Sequence, residues 1–493
     1  REQALYLEPG LWIAMEQREE YEKMLAGEPG AEEPGCHIVR RMLYYRGGQT
    51  EDEIRERYFL TKPFIKQILD ELQNRESIVK DGEVYYHSKL YDRARRRMVK
   101  DLRLQAVTRP PECYASLMAG RIQVHAPAEE QLKRAMEQCC DKALPVRQWE
   151  SVIFRRRVKN YSETMLDRLL SQGDYFWKMA PDGNLSFHRY DDIDWDAGLP
   201  EATEELEGDE LLLYRELKRR GASFLKFLTG IPKEDSAQEV LLKLAAKGLV
   251  CADSFVPVRQ WQNREKIRKA PVRQRVNARV MALSAGRWDI VRPVREKSRE
   301  ELLLRYFTEA VVLCRETFLK ASMGDEFTWR EALEILRVWE YTGRVRRGYF
   351  IEGLSGAQFI RKDDYEAVTA LLQKSDEELI WLNASDPAQI WGKILKQPKE
   401  REFMNLPGTA VALLGGLPAA VLEKQGKTLR VFGDDAQSRL DIILSGLVRD
   451  FREKKLFADQ KRLIVKDYPK YAGDSLKKAG FIHEMQDYVL YWP

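Results

Sequence analysis

The sequence is poor in the residues that build metal centres and disulfide frameworks. Its 493 residues include six cysteines and five histidines, and no two cysteines form a C-x-x-C pair. Cys36 and His37 are adjacent, but no second pair of ligands follows at zinc spacing. Dispersed cysteines of this kind are typical of a reducing compartment. The sequence therefore predicts no metal site and no disulfide scaffold.

Long apolar runs and a strong net charge are also missing. No apolar stretch reaches the roughly 18 residues that a membrane-spanning helix needs, and the first ten residues lack the pattern of a signal peptide. The net charge is only +4, so local basic patches have to bind any anionic partner. We expect a cytoplasmic protein without membrane contact. Because the sequence does not begin with methionine, we expect it to be part of a longer chain.

Two motifs of ATP-driven enzymes are absent, namely the phosphate loop G-x-x-x-x-G-K-[S/T] and the DExH box. A phosphate loop supplies backbone amides, a lysine and a Mg²⁺-binding hydroxyl to the nucleotide. Without them, nothing in this sequence is expected to hold ATP. We predict that this chain has no cofactor of its own.

A helix–helix–helix–hairpin pattern begins at residue 36. Thr50 is placed to cap the second helix and Thr61 the third, with Pro63 in its first turn. Asp81-Gly82 then separates two short β-prone runs, which is a strong hairpin pattern. Together these features predict a winged helix.

The same pattern recurs three times. Capping boxes open the third helix of two of the later units, at Ser236–Glu239 and Thr328–Glu331, and Gly343 is placed to end the helix that starts at Thr328. After the fourth unit, short strands joined by Gly415-Gly416 and Gly426 predict a different module. The predicted domains are an entry segment (1–35), winged helix 1 with a basic helix (36–110), winged helix 2 (111–195), winged helix 3 (196–258), a basic connector (259–297), winged helix 4 (298–375) and a C-terminal module (376–493).

This organisation predicts a fold class that is mainly α with α+β modules. Four tandem winged helices precede a small module that is either β-barrel-like or α+β. An acidic stretch, residues 191–210, is expected to be a solvated linker.

Several stretches are distinctive. They are GLVCADSFVPVR (Gly248–Arg259), SAGRWDIV (Ser284–Val291), GYFIEGLSGAQF (Gly348–Phe359), LNASDPAQIWG (Leu382–Gly392) and the segment Pro145–Trp177. Taken in their order along the chain, they resemble motifs of the Lhr-type ("large helicase-related") ATP-dependent helicases, with Asn383 where the family has a serine. The resemblance covers nearly the whole chain. It implies the C-terminal region of a bacterial DNA-repair helicase, which follows motor domains that use ATP and Mg²⁺.

Basic residues mark the stretches predicted to bind DNA, single-stranded or forked. The connector is the richest, because a single acid faces its cations and Trp261 offers a ring for base stacking. The wing and third helix of winged helix 4 and the basic helix add further cations. The predicted nucleic-acid-binding residues are Trp261, Arg264, Lys266, Arg268, Lys269, Arg273, Arg275, Arg330, Arg337, Arg344, Arg346, Arg347, Arg95, Arg96 and Arg97.

Two other functions stay open. Gln260-Trp261-Gln262 is similar to an element of tandem winged-helix DNA glycosylases, and base excision from a carboxylate such as Asp386 or Asp487 would need a pocket for a flipped base. Winged helices also serve as protein-contact modules, so the chain is alternatively a homo-oligomer module. The expected partners are DNA, the upstream motor domains and a second copy of the chain.

Overall fold

The computed structural model describes residues 4–8, 10–27, 30–123, 125–201, 206–284, 286–323, 326–373 and 378–492. Predicted features that lie partly outside these residues include the entry segment (1–3, 9 and 28–29), the acidic linker (202–205), the SAGRWDIV stretch (Ala285) and the boundary at 375/376. The chain divides into two compact units, residues 1–106 with 337–348 and residues 107–336 with 349–493. Within the described residues, no helix is long and apolar enough to span a bilayer.

The first unit contains the predicted winged helix. Thr50 forms a capping box with Glu53, which satisfies N–H groups that the first turn of a helix leaves unpaired. Thr61 occupies the N-cap position of the third helix, but its side chain makes no capping bond. The helices are Glu32–Arg46, Glu51–Tyr58 and Lys62–Asn74, and the strands, in spatial order, are Gln49–Thr50, Val84–His87 and Ile78–Asp81.

Further elements complete the first unit. A hairpin and a short helix precede the winged helix, and the basic helix follows it. The basic helix contacts the segment 337–348 of the same unit. These elements are the strands Ala4–Leu7 and Leu11–Ala14, the 3₁₀ turn Met15–Gln17, the helices Arg18–Ala26 and Ser88–Leu104, and the strand Val345–Gly348.

The second unit begins with the helix Pro111–Gly120 and the second winged helix. The middle helix of this winged helix contains a π-helical stretch, Trp149–Phe154, which buries four of its six side chains. The other helices are Ala128–Cys139, Val146–Gln148, Arg155–Arg157 and Glu163–Ser171, and the strands, in spatial order, are Leu144–Pro145, Asn184–Arg189 and Tyr175–Met179. A 3₁₀ turn, Tyr190–Asp192, follows.

The third winged helix has an unexpected topology. Its strands, in spatial order, are Val250–Ala252, Arg287–Ile290 and Ser223–Phe224, and its helical elements are Gly208–Arg220, Leu225–Phe227 and Ala237–Ala246. Val250 pairs with Ile290, so most of the predicted connector is inserted between two paired strands of one sheet. The inserted helices are Val256–Gln262, Arg264–Arg268 and Val272–Ser284.

The second and third winged helices share one hydrophobic core. The ring centroids of Trp177 and Trp288 lie 6.4 Å apart, and those of Phe187 and Phe255 lie 5.7 Å apart. These contacts join aromatic rings from both winged helices. Burial of large rings contributes strongly to core stability. The inserted segment is therefore flanked by well-packed strands.

The fourth winged helix begins in the second unit. Thr328 and Glu331 form the predicted capping box: the Thr328 N–H donates to Glu331 Oε2 over 2.9 Å, and the Glu331 N–H donates to Thr328 Oγ1 over 3.4 Å. Gly343 has a φ of 81°, a conformation that glycine adopts without strain. The helices are Arg299–Ala310, Arg315–Ala321 and Trp329–Thr342, followed by the strand Gln358–Arg361 and the helix Tyr365–Gln373.

The C-terminal module is α+β, as one of the two predicted alternatives states. Its described strands form two open antiparallel sheets, so the β-barrel-like alternative is not supported. A four-stranded sheet, in spatial order, consists of Leu379–Asn383, Ala410–Leu414, Leu417–Glu423 and Thr428–Val431, and a three-stranded sheet of Arg462–Val465, Asp487–Tyr491 and Ile482–Glu484. Helix Leu440–Arg452 packs on the first sheet. The remaining helical elements are Lys399–Arg401, Lys424–Gly426, Gly433–Ser438, Lys470–Ala472 and Gly473–Lys478.

Candidate nucleic-acid interface

Six of the seven exposed cations of the inserted segment are predicted nucleic-acid-binding residues. None of them forms an ion pair with another residue that the structure describes. We call this set the connector cluster; it consists of Arg264, Lys266, Arg268, Lys269, Arg273 and Arg275. Because their charge is not neutralised by nearby carboxylates, these side chains are available to bind phosphate groups.

Trp261, the predicted stacking residue, is half-buried and packs against the shared core. The guanidinium of Arg264 covers its ring at 4.5 Å from the centroid, and Arg264 Nη1 donates to the Trp261 carbonyl over 3.0 Å. A base that stacks on this ring would have to displace Arg264. The arrangement favours a phosphate contact by Arg264 over base stacking on Trp261.

An apolar stripe accompanies the connector cluster on helix Val272–Ser284. Val272, Val276 and Val280 are 65%, 53% and 59% exposed and recur every four residues, which places them along one side of the helix. Exposed apolar rows of this kind are found at binding surfaces. The spacing of these valines is visible in the sequence, but their exposure is not.

Arg259 lies in the predicted basic connector, but it faces inward. Its Nε donates to Glu150 Oε2 over 2.9 Å, and its Nη1 donates to Asp167 Oδ2 over 2.7 Å. Burial disfavours its charge, but Glu150 and Asp167 outweigh this effect and raise the pKa of Arg259. Arg259 therefore joins the inserted segment to the second winged helix.

Replacing Arg259 with glutamine tests this assignment. We expect the free energy of unfolding of the second unit to fall by about 2–4 kcal/mol, because two carboxylates would lose their buried partner. DNA affinity, measured at a temperature where the variant is folded, should keep its salt dependence. A weaker salt dependence without loss of stability would show instead that Arg259 contacts phosphate.

The three predicted arginines of the basic helix differ in their surroundings. Arg95 Nε donates to the carbonyl of Tyr341 over 2.7 Å, while Arg96 and Arg97 are exposed. The same helix contributes Arg103, which forms a bidentate pair with the buried Glu340 at 2.6 and 2.7 Å. One face of this helix therefore holds the segment 337–348, and the other presents Arg96 and Arg97 to solvent.

The predicted arginines of winged helix 4 are also unequal. Arg330 belongs to the second unit, and its side chain is 91% exposed with Glu334 at 4.0 Å. The other four belong to the first unit, where Arg337 is exposed. Arg344 lies 4.0 Å from the centroid of the Trp339 ring. The remaining two, Arg346 and Arg347, are half-buried.

The side chains suggested for base excision do not come together. Gln260 is buried, and its amide bonds to Gln238 (2.6 Å) and to the Ala278 carbonyl (2.8 Å). Asp386 is fully buried against Arg157, and Asp487 pairs with Lys466 at 3.3 Å. Each of these three side chains therefore makes contacts that give it a structural role. Within the described residues, no three metal-ligating side chains form a cluster.

A cavity of about 810 Å³ adjoins the second winged helix and the C-terminal module. Its walls carry positively charged side chains and two carboxylates, those of Glu378 and Glu453. Gln123 donates to Glu378 over 3.1 Å, and Lys455 pairs with Glu453 at 2.5 Å. Sequence analysis missed this cavity, because its walls come from residues that are far apart in the chain.

Comparisons with known proteins match the second and the fourth winged helix. A family described as "Large helicase-related protein, winged-helix domain" matches residues 110–189 and residues 294–380. The "Lhr helicase/ probable uracil glycosylase" of Mycolicibacterium smegmatis is 26% identical over 457 residues, which cover 83% of this chain and 30% of that protein. The "Lhr helicase/uracil glycosylase" of Escherichia coli is 25% identical over 427 residues, covering 77% and 27%.

The chain spans less than a third of the length of these two relatives. The matched winged-helix domains and the named relatives agree with the motifs found in the sequence, including the segment Pro145–Trp177 within the first matched region. The chain therefore contains two winged-helix domains of the large helicase-related family and is similar to a part of two Lhr helicases.

Proposed function

We propose that this chain is a non-motor accessory region that binds DNA for an Lhr-type helicase. The observation that carries the proposal is the connector cluster, whose six exposed cations form no ion pair with any described residue. Elsewhere, exposed cations such as Arg134 and Arg168 are paired with acids at 2.5 and 2.9 Å. A set of unneutralised cations gains most from phosphate binding, because each contact releases counterions from the nucleic acid.

The proposed binding is independent of base sequence. Arginine and lysine contacts to phosphates fix position but carry no sequence information. The inserted helices connect two strands of the third winged helix, which pair at Val250 and Ile290. The inserted helices therefore occupy the place of a wing. In this role the segment would hold a DNA strand for motor domains of the parent protein, whose activity would serve DNA repair.

Binding of the chain to labelled single-stranded, forked and duplex DNA across a salt series tests the proposal. We expect log K to fall linearly with log salt, with a slope of roughly −4 if six single-strand phosphate contacts form. Absence of binding at low salt would overturn the proposal. In that case the exposed row of valines on helix Val272–Ser284 would favour self-assembly, which light scattering measures.

Uracil excision is a second candidate function. The names of both relatives include uracil glycosylase, and the cavity of about 810 Å³ carries two carboxylates in its wall. A flipped base requires a pocket of this kind and a group that activates water. We infer that Glu378 or Glu453 would supply that group.

We expect the chain to release uracil from single-stranded DNA that contains it. Replacement of Glu378 or of Glu453 with glutamine should lower the rate by about 10²-fold or more for one of the two, because general-base assistance is lost. Asp487→Asn is the matched control, since Asp487 lies outside the cavity wall. Absence of uracil release, or an equal loss in the control, would refute this function.

A further inference from the structure

A second polar pocket lies on the first winged helix. Its volume is about 670 Å³, and it lies among the first helix of the winged helix, the end of the hairpin and the start of the basic helix. Among the residues that line it, only His37 was considered from the sequence, and then only as a metal ligand. The pocket lining includes Arg40, Tyr44, Tyr45, His87 and Lys89.

Two exposed tyrosines stand at one side of this pocket. Tyr45 is 79% exposed and Tyr44 is 44% exposed. Their rings meet edge to face, with centroids 5.2 Å apart, and the Tyr44 ring contacts His87 at 5.0 Å. Exposing two adjacent aromatic rings is unfavourable in water unless a ligand covers them.

The charges around the pocket leave two cations unneutralised. Neither Arg40 nor Lys89 forms an ion pair with another described residue, and both are exposed. The pocket wall contains two acids. One of them, Glu20, forms an ion pair with Arg41 at 3.1 Å. The other, Glu76, is exposed, so the pocket keeps an excess of positive charge.

His87 contributes a hydrogen-bond donor. Its Nδ1 accepts the backbone N–H of Lys89 over 3.2 Å, so the proton of the neutral ring is on Nε2. Burial first, and then Arg40 and Lys89, lower the pKa of His87. At neutral pH the pocket therefore presents a neutral imidazole donor beside two cations.

We propose that this pocket binds one nucleotide of a single strand of nucleic acid, with the base against Tyr45 and Tyr44 and its phosphate on Arg40 and Lys89. The inference rests on the proposed DNA binding and adds a second site to it. Bases in a duplex are paired and stacked on each other, so only an unpaired base is free to stack on an exposed ring. Neighbouring cations that hold the backbone complete the usual composition of such sites.

Tyr45→Ala tests the proposal in the full chain with labelled oligothymidylate. We expect affinity to fall by roughly 5- to 150-fold, the range measured for loss of one stacking ring, and duplex affinity to stay unchanged. Tyr45→Phe should restore single-strand affinity, because phenylalanine keeps the ring. Tyr349→Ala is the matched control, since Tyr349 is 62% exposed but belongs to the other unit.

The position of the strand is measured separately. Photocrosslinking with 4-thiothymidine-substituted oligothymidylate, followed by peptide mapping, should label the peptide that contains Tyr44 and Tyr45. Unchanged single-strand affinity in Tyr45→Ala, while a connector-cluster variant loses affinity, would overturn this site and leave the proposed function standing. Failure of the unaltered chain to bind any DNA would overturn both. Equal competition by polyglutamate would show a charge-only contact and would also refute base stacking.

Discussion

Replacing Arg264, Lys266, Arg268 and Lys269 together with glutamine is expected to lower affinity for single-stranded DNA by on the order of 10²- to 10³-fold at 0.1 M salt. These four cations are exposed, and none has an ion-pair partner among the described residues. Each lost phosphate contact should reduce the salt slope by roughly 0.7, so the slope of the quadruple variant should be about 3 shallower. Fluorescence anisotropy across a salt series measures both quantities.

A matched variant removes the same number of charges from paired positions. Arg134, Arg168, Arg219 and Lys243 are exposed, and each pairs with an acid at 2.5–2.9 Å. Replacing all four with glutamine changes the net charge equally. We expect this control to keep most of the affinity and nearly the full salt slope. An equal loss in both variants would show that net charge, and not the connector cluster, governs binding.

Replacing Arg157 with methionine is expected to lower the free energy of unfolding of the second unit by about 3–5 kcal/mol. Arg157 donates two bonds of 2.8 Å to Asp386, and the side chains are 4% and 0% exposed. Removing the cation would leave a buried carboxylate without its counter-charge. Denaturant unfolding followed by tryptophan fluorescence measures the loss, since Trp381 and Trp391 are buried in the C-terminal module.

The double variant Arg157→Met, Asp386→Leu provides the control. Removing both charges should recover part of the stability, because no buried charge remains unpaired. A double variant less stable than Arg157→Met would contradict this account.

Acid should weaken the same pair. Burial raises the pKa of Asp386, but Arg157 and the Ala388 N–H outweigh burial, so the pKa lies below its usual range. A carboxyl whose pKa is lowered by folding stabilises the folded state above the unfolded pKa of about 3.9 and loses that contribution as pH falls towards the folded pKa. The pair therefore holds Asp386 as a structural anion, which agrees with its position outside the cavity walls.

Features with local causes were predictable from the sequence. The helix cap at Thr50, the capping box at Thr328, the hairpin turn at Gly82 and the helix end at Gly343 depend on residues within four positions of one another. In the helix Lys62–Asn74, the buried residues Ile65, Ile68, Leu69 and Leu72 follow the 3.6-residue helical period. These signals predicted four winged helices and their order along the chain. The distinctive motifs indicated the resemblance to Lhr-type helicases.

The partners of charged side chains were not predictable in this way. Arg259, Arg95 and Arg157 look alike in the sequence, yet each bonds to a group 109, 246 or 229 positions away. For the same reason, neither the residues that line the cavity nor the open form of the two C-terminal sheets could be predicted from the sequence. Sequence patterns record the period of an element and not the element that packs against it.

By itself, the sequence determined the type of each small domain, the basic character of the inserted segment and the kinship with large helicase-related proteins. Only the tertiary structure decided which of the cations stay exposed and available to an anionic partner. Pairing of Val250 with Ile290 places the segment between two strands and turns Arg259 inward, while Arg264 and its neighbours stay in solvent. The physical reason is that a charge buried on folding needs a counter-charge brought from a distant part of the chain, and an exposed one does not.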